Sequence, residues 1–389
     1  MERPIFQAPG TPVEELDTPA LVVDLDVMEQ NIETFHDCFR QSAVKVRPHV
    51  SSHQCPQIAH RQLLAGATVG GISVSTVGEA EAFAAAGLRD ILVASQIVTR
   101  PKIRRLCILA GANRITVAVD NPANVDYLSE AANAAGVTLG VLVEVDLGLG
   151  RCGVAPGGEA LELARAIARR PGLRFDGLLA IPPILSADRE IPPGPPLQKE
   201  GSGDVDLPDP AELEGEARGL LRPVVETRQL IEGEGLPVPV VSVGGTHNYD
   251  VACRMPGITE VQAGAYPLMD YHQCQRRPEL SPAAKVLASV ISRPTARSAV
   301  LDAGHKATGP DRGLAVLEGI PGAEATRFSA EHGVLALEGE AARELKPGDK
   351  AWLVPFDLGL CINQYDYVRA ARGGRLEGFW PLAARGRFG

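Results

Sequence analysis

Aromatic residues make up only 4% of this 389-residue chain, and no long hydrophobic run interrupts it. No stretch approaches the roughly 20 consecutive apolar residues of a membrane-spanning helix, so no membrane association is expected. A basic excess is missing too: Lys+Arg total 38 against 48 Asp+Glu, a formal charge of −10. Nucleic-acid binders usually carry a basic face, and none is expected here. Met1–Gly10 lacks an apolar signal core, so a cytoplasmic location is expected. The seven cysteines stand at 38, 55, 107, 152, 253, 274 and 361, without Cys-x-x-Cys spacing. That pattern argues against a zinc knuckle or a disulfide framework and for reduced cysteines packed as small hydrophobes.

What is present is an alternation. Short apolar runs at 44–46, 69–74, 91–94, 115–119, 141–145, 177–181, 238–243 and 258–261 are separated by helical patterns such as 56–64, 79–86, 121–134 and 161–168. Continuously apolar runs suit parallel strands buried on both faces. Eight strand–helix units predict a (β/α)8 barrel over residues 25–265. Ahead of it, 20–25 reads as a strand and Asp26 as the cap of an amphipathic helix. After it, short β-type runs at 286–291, 299–301, 334–337, 350–354 and 365–368 predict an all-β C-terminal domain, which residues 1–24 and 266–389 would form together. A proline- and glycine-rich insertion, 187–212, follows the sixth strand and reads as a loop or a lid.

Barrels work at the C-terminal ends of their strands. That rule selects Arg47, His49, Ser51 and His53 after the first strand, Ser75, Thr76 and Glu79 after the second, and Glu144, Asp146 and Arg151 after the fifth. After the seventh it selects Gly244, Gly245, Thr246, His247, Asn248, Tyr249 and Asp250. The Gly-Gly-Thr turn reads as an anion cup, because glycines let backbone N–H groups approach a phosphate or carboxylate. Arg47 and Arg151 suit a small anionic substrate; the alternative is that they pair with Glu144 and Asp146 as structural salt bridges. His49, His53, His247 and Asp250 are the candidates for proton transfer.

Asp17-Thr18-Pro19-Ala20, the run Glu144 to Val154, Gly244-Gly245-Thr246, Leu301-Asp302-Ala303-Gly304 and Asn363-x-Tyr365-Asp366 give the chain a further reading. It resembles the D-threonine aldolase and D-serine dehydratase-like group of fold-type III pyridoxal-phosphate proteins, related to alanine racemase. The resemblance implies a barrel with a β domain and a head-to-tail homodimer. Where that group reads Arg-Pro-His-Ala-Lys-Thr-His, this chain has Ser51 in place of the cofactor lysine. The group's metal ligands, His-x-Cys or His-x-Asp, fall on Asp357 and Gly359. A serine cannot form an imine with an aldehyde. The expectation is therefore that no cofactor is used, with pyridoxal phosphate able to bind only non-covalently, and that no metal is held. The function expected is a cofactor-independent lyase, isomerase or condensing enzyme acting on a small anionic substrate. The alternatives are a pyridoxal-phosphate aldolase or dehydratase of β-hydroxy-D-amino acids, or a binding protein without turnover.

Overall fold

A computed structural model of the protein describes residues 7–183, 210–309 and 313–389. The chain enters through β1 (Ala20–Asp24) and α1 (Leu25–Arg40). Asp24, not Asp26, caps α1, its carboxylate accepting from the Asp26 and Val27 N–H groups. Asp26 sits in the first turn instead, where a negative charge suits the helix dipole.

Eight parallel strands follow: β2 (Lys45–Pro48), β3 (Ile72–Val74), β4 (Asp90–Gln96), β5 (Arg114–Val119), β6 (Leu139–Glu144), β7 (Leu173–Ala180), β8 (Val240–Gly244) and β9 (Glu260–Ala263). They are bonded in the order β2-β9-β8-β7-β6-β5-β4-β3. Isolated bridges, Val46 to Thr68 and His49 to Ser73, nearly close the circle between β2 and β3. Side chains alternate between the two faces of each strand. Val46, Val93, Val117, Val143, Val243 and Val261 join the helices in the main core. Leu92, Ala118, Leu142 and Leu179 form a separate apolar layer inside the barrel.

The connecting helices are α2 (Pro56–Leu64), α3 (Val77–Ala85), α4 (Arg100–Ala110), α5 (Pro122–Ala135), α6 (Gly158–Ala168), α7 (Pro210–Gly233) and the short α8 (Tyr249–Ala252). Helix α2 opens on Pro56, whose missing N–H costs nothing at a first turn. Helix α5 ends at Gly136, whose φ of 66° is easiest for glycine. The insertion 187–212 lies outside the described residues except for its last three positions, which open α7.

The second sheet is nine-stranded and mostly antiparallel. Its main path runs β13-β14-β11-β10-β1-β16-β17, with β15 pairing β10 and β12. Here β10 is Ala284–Thr295, β11 Ser298–Leu301, β12 Val316–Glu318, β13 Ala323–Phe328, β14 Gly333–Leu337, β15 Lys350–Val354, β16 Tyr367–Arg372 and β17 Arg375–Pro381. Strand β1 lies between β10 and β16, antiparallel to the first and parallel to the second.

The cysteine expectation needs correcting. Cys38 on α1 and Cys253 just after α8 form a disulfide, with Cα atoms 6.7 Å apart and 215 residues between them in sequence. Packing of α1 beside α8 makes the pair, and no local spacing announces it. The other five cysteines are free.

Candidate active site

Strand β2 leads into a 3-10 turn at Val50–Ser52, which sets Ser51 against the start of α3. Ser51 Oγ donates to Glu79 Oε2 at 2.8 Å and accepts from the Ser75 N–H at 2.9 Å. The same Glu79 oxygen accepts from the Ser75 and Thr76 N–H groups. Thr76 Oγ1 accepts in return from the Glu79 N–H at 3.1 Å. This is the capping box that a Thr-x-x-Glu sequence favours at a helix start. Burial pushes the Glu79 carboxyl above its usual range, while its hydrogen bonds to Ser51, Ser75 and Thr76 oppose the rise.

His49 stands beside this network. Its Nδ1 is 3.0 Å from Ser73 Oγ and its Nε2 is 3.3 Å from Ser75 Oγ. Burial, and next the Arg151 charge, push it down to about 4, so the ring is neutral at pH 7. Arg151 is exposed on the loop after β6. Its charge also acts on Glu144, whose carboxyl burial raises and a hydrogen bond from Gln96 lowers. Asp146 is structural: its Oδ1 accepts from the Gly148 and Gly150 N–H groups at 2.9 and 3.2 Å and shapes the loop.

Two expected site residues lie elsewhere. Arg47 is buried inside the barrel, below the apolar layer. Its Nε and Nη2 donate to Glu260 at 2.7 and 3.0 Å, and its Nη1 to Asp90 at 2.8 Å. It is a structural ion pair, although not with the carboxylates that the sequence pattern suggested. His53 is fully enclosed. Its Nδ1 accepts from the Cys55 N–H, so its proton sits on Nε2 and is given to Gln62 Oε1 at 3.0 Å. Burial drives it down to about 4. With both nitrogens engaged, this histidine holds α2 against β2 and faces no open space.

The turn after β8 forms a second centre. Asn248 Oδ1 accepts from the Gly245 N–H at 3.0 Å, and Thr246 Oγ1 from the Ala265 N–H at 3.2 Å. The His247 ring lies against Gly245: a Cβ there would meet its Nδ1 at 3.5 Å. Arg277 clamps the turn. Its Nε donates to the His247 carbonyl at 2.9 Å, its Nη2 to Asp250 at 2.5 Å, and its guanidinium lies 4.9 Å from the centre of the Tyr249 ring. Asp250 is thus held by Arg277 and does not pair with His247. Tyr249 donates to Glu279 at 3.0 Å and packs on Phe35. Sequence reasoning did not find Arg277, which reaches the turn from 30 residues away. Gln96, which donates to Glu144, was also missed as a site neighbour, whereas Ser75 and Glu79 stand at the mouth as the strand-end rule placed them.

Residues 23–270 match the alanine racemase N-terminal domain, and residues 283–370 the putative serine dehydratase domain. The chain is 34% identical to a D-threonine aldolase of an Arthrobacter species over 383 residues, covering 97% of this chain and 95% of the relative. It is 33% identical to a 3-hydroxy-D-aspartate aldolase of Paracoccus denitrificans over 391 residues, again 97% and 95%. Among solved structures, D-threonine aldolase from Filomicrobium marinum superposes with a TM-score of 0.89 at 34% identity, covering 98% of this chain and all of that one. D-threo-3-hydroxyaspartate dehydratase from a Delftia species gives 0.81 at 28% identity, covering 95% and 98%.

These relatives overturn the expectation that no cofactor is used, because aldolases and dehydratases of this group work with pyridoxal phosphate and a metal. The chain fits one end of that cofactor. Gly244 and Gly245 carry no side chain, although Ile181 stands 2.9 Å and the His247 ring 3.5 Å from where their Cβ atoms would be, and the first N–H groups of the 246–248 segment have no partner within it. The aldehyde end meets Ser51, which has no amine. Lys45, on the same strand, points its Nζ to the Phe39 and Ser42 carbonyls below, while Lys306 pairs with Glu331 in the β domain. The metal does not fit: no group of three or more His, Cys, Asp or Glu among the described residues is placed to hold one. Asp357 uses Oδ1 to cap the helix Leu358–Ile362 through the Leu360 N–H, and Gly359 offers no ligand. With its barrel, its β domain and its near full-length likeness to these enzymes, the chain belongs to the D-threonine aldolase and D-serine dehydratase-like family of alanine racemase-like fold.

Proposed function

We propose that the protein is a lyase of 3-hydroxy-D-amino acids, an aldolase or dehydratase that uses pyridoxal phosphate without a covalent tether at position 51. The observation that carries this is the 33–34% identity, over 97% of the chain, to aldolases of D-threonine and 3-hydroxy-D-aspartate. The 244–248 turn would hold the phosphate. The cofactor, when bound, supplies an electron sink for cleavage next to the substrate's α-carbon.

The remaining chemistry falls to the chain's own groups. Exposed Arg151, close to His49 and Glu144, takes the substrate carboxylate. His49, neutral and held by Ser73, offers the Nε2 lone pair. Its 3.3 Å contact to Ser75 is long enough for a substrate 3-hydroxyl to replace it and, in aldol cleavage, give up its proton there as the aldehyde forms. Ser51 and Glu79 keep the first turn of α3 rigid beside this histidine.

The test is purified protein with added pyridoxal phosphate and D-threonine or threo-3-hydroxy-D-aspartate, the L-isomers serving as controls. Aldehyde plus glycine marks an aldolase; keto acid plus ammonia marks a dehydratase. No cofactor-dependent consumption of any D-isomer would sink the reading.

A further inference from the structure

We infer that residues 382–387 form a positioning strap, which holds His49 and its serine neighbours in register for proton transfer. The inference rests on the lyase reading and deepens it. The strap begins where β17 ends. Leu382 N–H donates to the Asp366 carbonyl at 2.9 Å, Arg385 pairs with the Asp366 carboxylate at 2.6 Å, and Gly386 N–H donates to Asn363 Oδ1 at 3.1 Å. Two polar residues of the Asn363-x-Tyr365-Asp366 run thus moor the segment to the β domain.

From that mooring the strap reaches two points on the barrel rim. Ala384 N–H donates to the Gln54 carbonyl at 3.2 Å, and Thr76 Oγ1 donates to the Arg387 carbonyl at 2.5 Å. The two points lie on opposite sides of the Ser51–Glu79 hydrogen bond. Gln54 closes the turn that follows His49 and carries Ser51, its N–H returning to the Val50 carbonyl at 2.8 Å. Its φ of 56° is a left-handed conformation, which a residue with a side chain keeps only where its surroundings hold it. Thr76 caps α3, which carries Glu79. The Thr76 hydroxyl accepts from the Glu79 N–H and commits its one proton to Arg387, so the strap sets the rotamer that the capping box needs. Ser75 is the adjoining residue, and its hydroxyl stands 3.3 Å from His49 Nε2. Gly78 shows how closely the segment is seated: a Cβ there would meet the Gly389 oxygen at 2.6 Å and the Arg387 oxygen at 3.0 Å. The strap acts on His49 through Gln54 and Thr76, which makes its residues positioning residues.

The experiment displaces the strap from each side in the full chain. Gly78 lies in α3, where alanine is the better helix former. Gly78→Ala should push the strap away and leave the urea midpoint of unfolding no lower than that of wild type. With pyridoxal phosphate and D-threonine, kcat should fall about tenfold while KM stays within about twofold. Amide exchange at Ser75, Thr76 and Glu79 should quicken about tenfold. Asn363→Ala, which cuts the mooring, should lower kcat in the same way, and Asn363→Asp, which keeps an acceptor for Gly386, should restore most of it. Wild-type kcat in either Gly78→Ala or Asn363→Ala would overturn the inference. So would a fall in kcat matched by a lower unfolding midpoint in Gly78→Ala, since the segment would then be a structural contact alone. If the wild type consumes no D-isomer, the lyase reading fails, and amide exchange still decides the strap: quicker exchange in Gly78→Ala upholds the clamp and unchanged exchange sinks it too.

Discussion

The two ends of the barrel mouth differ in how completely they satisfy themselves. Around Ser51 the described polar groups close on one another: Ser51, Ser75 and Thr76 converge on Glu79, and His49 on two serine hydroxyls. Around Gly244 a buried imidazole nitrogen is left over. The hydrogen bonds on Glu79 hold the first turn of α3 in place, whereas the His247 nitrogen is packed out of reach of solvent in a turn that Arg277 braces. The Ser51 end offers no amine, and the Gly244 end is shaped by Arg277.

Glu79→Ala attacks the self-satisfied end and should have the largest effect. It strands the Thr76 N–H and the Ser51 hydroxyl in a buried cap, a loss of about 3 kcal/mol measurable by denaturant unfolding. A loss no larger than that of a surface change would mean the network is decoration. Arg277→Met attacks the other end. It frees the His247 carbonyl and Asp250, with a loss of about 2 kcal/mol and weaker cofactor binding than wild type. Unchanged cofactor affinity in that variant would show that the turn needs no brace.

Ser51→Lys sharpens the comparison by placing an amine at the Ser51 end. A near-UV to visible absorbance band that survives dialysis is expected, with turnover rising less than about tenfold because Asp357 and Gly359 still offer no metal site. Robust aldolase activity from that change alone would refute this account of the metal residues.

The smallest effect is on pH dependence. His49 and His247 sit at about 4 when folded, against 6.5 as free groups. The folded state therefore binds fewer protons there, and the stability these rings contribute is present above about pH 6.5 and lost as the pH falls towards 4. Glu79, raised on folding, has the opposite sign and eases the strain of its burial as acid is added. His247→Asn should flatten the acid limb of the stability curve by a fraction of the wild-type slope. An identical slope would mean that other groups carry it.

The barrel was legible because each strand's outward face is a run of valine, leucine and isoleucine, and the starting residue of α2 was announced by a proline. Helix α7 was less legible, since Pro223 breaks its pattern from within. In the site, direction was legible and depth was not. Arg47 and His49 share one face of β2, but two residues separate a buried ion pair from the mouth. His53 carries the same residue type as His49 yet is sealed behind Gln62. Long-range partners left no trace along the chain: Arg277 on the His247 carbonyl and Cys253 on Cys38 are made only by folding. The cofactor expectation failed for a different reason. It rested on one side chain, Ser51, whereas the likeness to these enzymes is spread over 97% of the chain.

Arg47, with Glu260 and Asp90, lies beneath the layer of Leu92, Ala118, Leu142 and Leu179. Together they stopper the tube from below, so whatever reacts at the rim must enter and leave by one doorway. A molecule seated at the rim would then shut out a second one until it left.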